Sequence, residues 1–291
     1  MCDTPKFLMP FGRRVALFVC LFLLCFVIGS VLTVAIMAVG KGSTASMRIG
    51  TVVQDMLIFI APAIATAVMI TRRPDVFLQI GKAPGWTLSL LTVAVMAVSV
   101  PAMNCVVEWN QAMHLPESMS ALEQWMRTSE ETAQTAVNQL MGGHGLMSCL
   151  LGVLIVGVLA GFSEEIFFRG TLQRLLVTKP INAHVAIWVT AIIFSAVHFQ
   201  FFGFVPRLLL GALFGYVGWW TGCLWLPVIA HVFNNSMVVV VTWMTTEGLL
   251  TTDLNTVGAT GTASDTILAV GSLLLTACGI YAIRKLSHRI G

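Results

Sequence analysis

"GFSEEIFFRG", residues 161–170, closes a long apolar run and places Glu164, Glu165 and Arg169 inside it. A charge buried in hydrocarbon costs about 2.5–3.5 kcal/mol or more. Whether this stretch is a membrane helix, and what offsets that cost, decides the fold. The whole chain answers the first half. Of 291 residues, 57% are hydrophobic and 10% charged, against roughly 25% charged in a soluble domain. The composition predicts an all-α, polytopic membrane protein with little room for a separate soluble domain. The net charge of +3 gives no reason to expect a nucleic-acid partner.

Eight apolar segments approach the roughly 20 residues that a spanning helix needs: 15–39, 51–70, 86–107, 146–172, 182–202, 206–221, 226–245 and 266–283. The sixth is the short one. "MCDTPKFLMPFGRR" is basic like the start of a signal peptide, but the following run is too long for one and shows no small-residue cleavage site. It is expected to stay as the first span. The chain divides into a three-span N-terminal region (1–145), a core of four spans (146–245) and a last span with a basic tail (246–291).

Lys6, Arg13, Arg14, Arg72, Arg73, Lys82, Arg174, Lys179, Arg284, Lys285 and Arg289 fall on one side if all eight segments cross. That side should be the cytoplasm, with both termini there and the protein in a cell inner membrane. The segments 108–144 and 246–264 fall outside. In the first, Met119, Leu122, Met126, Ala133, Val137 and Leu140 recur at helical spacing, which predicts an amphipathic helix lying on the outer face or capping the bundle. The turn between the fourth and fifth spans is expected near Lys179 and Pro180. The cysteines (Cys2, Cys20, Cys25, Cys105, Cys149, Cys223, Cys278) form no CxxC pair or cluster. They read as small buried hydrophobes, not as a disulfide framework or a zinc-thiolate site.

Polar groups recur at depth. The fifth span carries His198 in "AIIFSAVHFQ", the seventh His231, Asn234 and Asn235 in "PVIAHVFNNS", and Arg207 stands near the outer end of the sixth. Glu164 lies 15 residues before Lys179 and His198 18 residues after Pro180, arms of roughly 22 and 27 Å. The two can therefore share a level. His231 reaches them if the 222–225 turn dips inward. Glu165 and Arg169, four apart, can pair along the helix, which leaves Glu164 to face His198. His231 and Asn235 share a helix face.

Singly, each feature has a plain structural reading: an intrahelical ion pair, a packing histidine, interhelical glue, and a close-packing face at Gly211 and Gly215. Together they form an intramembrane polar cavity between helices. A carboxylate beside an imidazole can hold a water and take its proton. A second imidazole and an amide can donate to an oxyanion. Those parts suffice to hydrolyse a peptide bond. Ser163 and Ser195 have no triad around them. Two histidines and a glutamate could instead bind zinc, though from three helices and without the HExxH spacing. A proton-coupled transporter or channel would also use such groups, but no paired halves or repeated broken helices appear. A non-catalytic membrane scaffold is the third alternative.

"EEIFFR" (Glu164, Glu165, Arg169), "FSAVH" (Phe194, His198) and "HVFNN" (His231, Asn235) resemble the EExxxR, FxxxH and HxxxN motifs of the CPBP family, the CAAX-protease and bacteriocin-processing intramembrane endopeptidases. The likeness covers about 146–245. It implies eight helices and a site open toward the membrane or cytoplasm. It implies Glu164 as general base on a water held with His198, His231 and Asn235 on the oxyanion side, Glu165 and Arg169 accompanying the site, and Phe194 supporting it. No cofactor is expected beyond the zinc alternative. The partner implied is a membrane-bound peptide or protein, lipidated as in prenylated CAAX substrates or otherwise. The chain's own "SHRIG" ending is no CAAX box.

Overall fold

The computed structural model describes residues 6–177, 181–251, 254–259 and 261–290. The expected turn at Lys179 and Pro180 lies outside the described residues, as do Cys2, Asp253 and the side chain of Arg289. Among the described residues there is no strand, only an isolated antiparallel bridge between Phe7 and Thr71. The helices of ten or more residues are, in chain order, α1 (Phe11–Val39), α2 (Thr44–Ile70), α3 (Trp86–Gln111), α4 (Ser120–Met141), α5 (Leu146–Val177), α6 (Ala183–Ala196), α7 (Phe204–Thr221), α8 (Trp225–Thr246) and α9 (Ala263–Ile290).

All but α4 and α6 are long and apolar enough to cross a membrane, seven helices in the described residues. Residues such as Val31, Val34, Leu274 and Leu275 are exposed along them, as a lipid-facing surface requires. The chain is a multi-pass helical membrane protein. Two boundaries differ from expectation. The second span starts at Thr44 rather than 51, because the Ser43 hydroxyl accepts from the Ser46 N–H and caps the helix there. The short span is the fifth, not the sixth: α6 ends at Ala196 instead of 202. Its stop is set by partners elsewhere. The Ser195 hydroxyl donates to the Phe204 carbonyl at 2.7 Å, and the Phe202 N–H donates to Glu130 of α4 at 2.9 Å. Phe199 takes φ +53° to make the turn, a costly conformation for a bulky side chain. His198 therefore sits in this turn and not on a helix.

Lipid gives helices no hydrophobic reason to associate, so small residues and polar contacts do that work. A Cβ on Gly161 of α5 would meet the Val232 side chain at 3.1 Å and its backbone nitrogen at 3.2 Å, so α8 lies directly on α5 there. Gly211 and Gly215 admit α7 against Ala191 and Ile187 of α6. The turn before α8 is pinned from the α2–α3 connection: the Leu224 N–H donates to the Gln79 carbonyl, the Trp225 indole to that of Ile80, and the Lys82 ammonium to that of Thr221. Gly170 of α5 stands against Leu224. The turn thus dips alongside α5, which continues past it to Val177, and His231 is brought to the depth of Glu165.

A phenylalanine cluster fills the space around these helices. Phe167 packs on Phe18, Phe59 and Phe168, with ring centroids 5.0, 5.4 and 4.9 Å apart, and Phe168 meets Phe194 at 5.2 Å. Of the cysteines, Cys149 and Cys223 are buried, but Cys20 and Cys278 are exposed on spanning helices. They face the place of lipid, whose tails are as apolar as a protein core.

The predicted amphipathic helix is α4. Met126, Ala133, Val137 and Leu140 are half-buried, whereas Met119 and Leu122 stay exposed. Its first turns are held through Trp125 on the Phe201 ring (5.3 Å) and the Arg127 guanidinium over Phe202 (4.2 Å). Arg48 of α2 donates to the Leu140 and Gly142 carbonyls at the other end. The helix therefore straps the α6–α7 turn that carries His198. Glu123 is its electrostatic anchor. Hydrogen bonds from Arg127, the Leu115 N–H and His114 push its pKa down to about 2.

Candidate active site

Arg169 and Glu165 form a buried pair along α5, Nη1 to Oε1 at 2.6 Å, with side chains 2% and 0% exposed. Two buried charges need further bonds to be tolerated. Arg169 finds one by donating from Nη2 to the Gly211 carbonyl at 2.9 Å, reachable because glycine brings the α7 backbone close. The guanidinium also lies over the Phe194 and Phe214 rings, 4.5 and 5.4 Å from their centroids. Glu165 finds another in His231 of α8, whose Nδ1 lies 2.8 Å from the same Oε1. The sequence reading paired Glu165 with Arg169 alone. The structure adds His231 to the knot.

His198 is oriented by its own backbone. Its Nδ1–H donates to the Phe194 carbonyl at 2.7 Å. For both imidazoles the Nδ1 partner is an acceptor, a carbonyl or a carboxylate, which fixes Nδ1 as the protonated nitrogen. Each Nε2 then faces inward. Glu164 Oε2 lies 3.8 Å from Nε2 of His198 and 3.8 Å from Nε2 of His231. Those gaps are too long for direct hydrogen bonds and call for a bridging molecule such as water. Glu164 Oε2 has no hydrogen-bond partner among the described residues.

Phe194 sits at the centre. Its ring meets His198 at 5.1 Å, His231 at 5.8 Å and the Arg169 guanidinium, while its carbonyl holds His198. Phe214 stacks on His231 at 5.1 Å. Asn235, one turn beyond His231, donates one amide hydrogen to the Val156 carbonyl of α5 at 3.2 Å, and its oxygen accepts from Asn234. Its other amide hydrogen is uncommitted among the described residues. The Ser163 and Ser195 hydroxyls both donate to backbone carbonyls. Arg207, at the start of α7, donates from Nη2 to Gln200 at 2.6 Å.

Two neighbours escaped the sequence reading. Gln173, one turn beyond Arg169, donates to the Gly215 carbonyl at 3.0 Å, repeating the Arg169–Gly211 contact. Asp55 of α2 is 5% exposed, and its Oδ2 has no hydrogen-bond partner among the described residues. An aspartate at the fifth position of the predicted second span was the available signal. Among the described residues no set of three or more His, Cys, Asp or Glu side chains is gathered in a metal-holding arrangement.

Comparison with known proteins bears on the same stretch. Residues 146–237 match the family model described as type II CAAX prenyl endopeptidase Rce1-like, a protease family. YpbD, an uncharacterized protein of Bacillus subtilis (strain 168), is 31% identical over 83 residues, 27% of this chain. The match spans 39% of that relative's length. No solved structure matches the chain. The stretch that matches this family model, residues 146–237, holds all three motifs.

Proposed function

We propose that the protein is an intramembrane endopeptidase that hydrolyses a peptide bond of a membrane-associated substrate with a water activated by Glu164 and His198. One observation carries the reading: Glu164 Oε2 stands 3.8 Å from the inward Nε2 of both histidines, while every other polar contact of those rings is already made. A water in that gap gives its proton to Glu164 as its oxygen attacks the scissile carbonyl. The free amide hydrogen of Asn235 faces the oxyanion, and the His231 ring, held at Nδ1 by Glu165, lines the same side. Glu164 then passes the proton to the departing amine as the C–N bond breaks. Water supplies both the hydroxyl of the new acid and the hydrogen of the new amine, so the site ends as it began.

The reading needs no metal, and chelators should leave cleavage unchanged. Loss on chelation with rescue by zinc would move the chemistry to a metal. The substrate class that fits is a membrane-anchored peptide or protein, CAAX-like lipidated chains included. The placement that fits the Lys and Arg bias is an inner membrane with both termini cytoplasmic. The test compares membrane peptides from cells carrying wild-type protein and Glu164→Gln. Peptides with new termini should disappear in the variant. Their persistence at wild-type levels would reject the assignment.

A further inference from the structure

Of the motif residues, His198 alone stands on a turn, so whatever holds that turn decides where its imidazole points. Residues 197–203 bend α6 into α7. Such a bend leaves backbone N–H groups that no helix satisfies, and each is costly if buried unpaired. Two side chains from earlier in the chain supply acceptors. Glu130 of α4 takes the Phe202 N–H on Oε2 at 2.9 Å, and Asn110, near the end of α3, takes the Val205 N–H on Oδ1 at 2.8 Å. Asn110 also donates from Nδ2 to the Phe201 carbonyl at 3.4 Å and is 3% exposed. Both residues lie outside 146–237, the stretch matched to the family model.

The turn admits this grip because position 203 is glycine. A Cβ there would crowd Arg207 Nη2 at 3.3 Å and touch Glu130 Oε1 at 3.6 Å. The turn also needs to be held. Phe199, next to His198, keeps φ +53°, a conformation that persists only where the surroundings enforce it. The His198 ring is tied to α6 through its Nδ1–H and the Phe194 carbonyl at 2.7 Å, whereas the backbone that carries the ring follows the turn. A turn that drifts therefore rotates the ring and opens the 3.8 Å approach of Nε2 to Glu164.

We propose that Glu130 and Asn110 are positioning residues for His198. By holding the strained turn from α4 and α3 they keep Nε2 aimed at the Glu164 carboxylate, so the open half of the site is complete only while α4 is docked. This deepens the endopeptidase reading and rests on it for the effect on cleavage. Neither residue touches substrate or moves a proton.

The test follows the imidazole nitrogens of His198 by NMR of full-length, histidine-labelled protein in lipid vesicles. His231 is the internal reference, because Glu165 holds it independently of the turn. Signals are assigned by their loss in His198→Gln and His231→Gln. In Glu130→Ala and in Asn110→Ala the His198 Nδ1–H signal should shift and broaden while that of His231 stays. Glu130→Gln keeps a carbonyl oxygen as acceptor and should restore the signal. For any peptide whose release Glu164→Gln abolishes, kcat should fall by about 10²-fold in Glu130→Ala with KM little changed, and should return in Glu130→Gln. If Glu130→Ala does not fold, Glu130→Asp, whose carboxylate sits one methylene shorter, takes its place. A His198 signal identical to wild type in the folded variants overturns the proposal. So does a change that His231 shares equally, or one that Glu130→Gln leaves in place. Peptide release that survives Glu164→Gln would instead overturn the endopeptidase reading and leave the NMR result standing.

Discussion

Glu164 and Glu165 are neighbours on one helix, yet the structure treats them oppositely. Glu165 is fully buried, and one of its oxygens holds both Arg169 and His231 within 2.8 Å. Glu164 is 14% exposed and approaches two imidazoles without touching either. A helix turns about 100° per residue, so adjacent carboxylates must face different surroundings. One faces the α7–α8 packing and is spent on holding the fold. The other approaches His198 and His231 at 3.8 Å and keeps Oε2 without a hydrogen-bond partner among the described residues. The contrast shows how a membrane protein can carry two acids at one depth: the first is offset by fixed partners, and under the proposed function the second is offset by the water it activates.

The comparison can be broken from either side. His198→Ala empties the open half and should lower cleavage by about 10²- to 10⁴-fold with little change in Tm, measured on protein in vesicles. Equal losses of rate and Tm would mean that His198 belongs to the packing. Arg169→Ala attacks the closed half. It leaves Glu165 buried beside His231 without its cation and should destabilise the protein by about 3–5 kcal/mol, read as a lower Tm or denaturation midpoint. Gly161→Val strikes the seam between them. The added side chain meets the Val232 backbone and should cost about 1–3 kcal/mol. It should also lower cleavage by moving His231 away from Glu164. Unchanged stability would show that α8 can shift without loss.

The smallest effect belongs to the strap. Glu123 has its pKa depressed from 4.5 to about 2 by Arg127, the Leu115 N–H and His114. A depressed carboxylate stabilises the folded state above its unfolded pKa, and that contribution disappears as pH falls from about 4.5 through about 2. Hydrogen exchange at the Leu115 amide should quicken across that window. In Glu123→Gln the amide should exchange quickly at neutral pH as well.

Much of this was legible in the sequence because it depended on short-range rules. The apolar runs gave the spans, the four-residue spacing gave the Glu165–Arg169 pair, and hairpin arithmetic put Glu164 and His198 on one level. What stayed hidden depended on contacts between distant residues. Residues 182–202 are apolar nearly throughout, so hydropathy runs past Ala196. The stop comes from Glu130 of α4 and the Phe204 carbonyl. Asp55 and its neighbour Gln54 stand near the start of a mostly apolar window and barely move its average. Its interest comes from burial without a partner. The Asn235 amide meets the Val156 carbonyl inside a π-helical turn, Val153–Leu159, and a 3.6-residue period cannot foresee that register.

The most direct measurement sets Glu164→Gln beside Glu165→Gln in the same lipid vesicles, recording Tm and the rate of peptide release for each. The account predicts a crossed result: Glu164→Gln keeps the wild-type Tm and loses cleavage by about 10²-fold or more, while Glu165→Gln loses Tm. A Glu164→Gln protein that still cleaves at the wild-type rate, or that melts as early as Glu165→Gln, would contradict it.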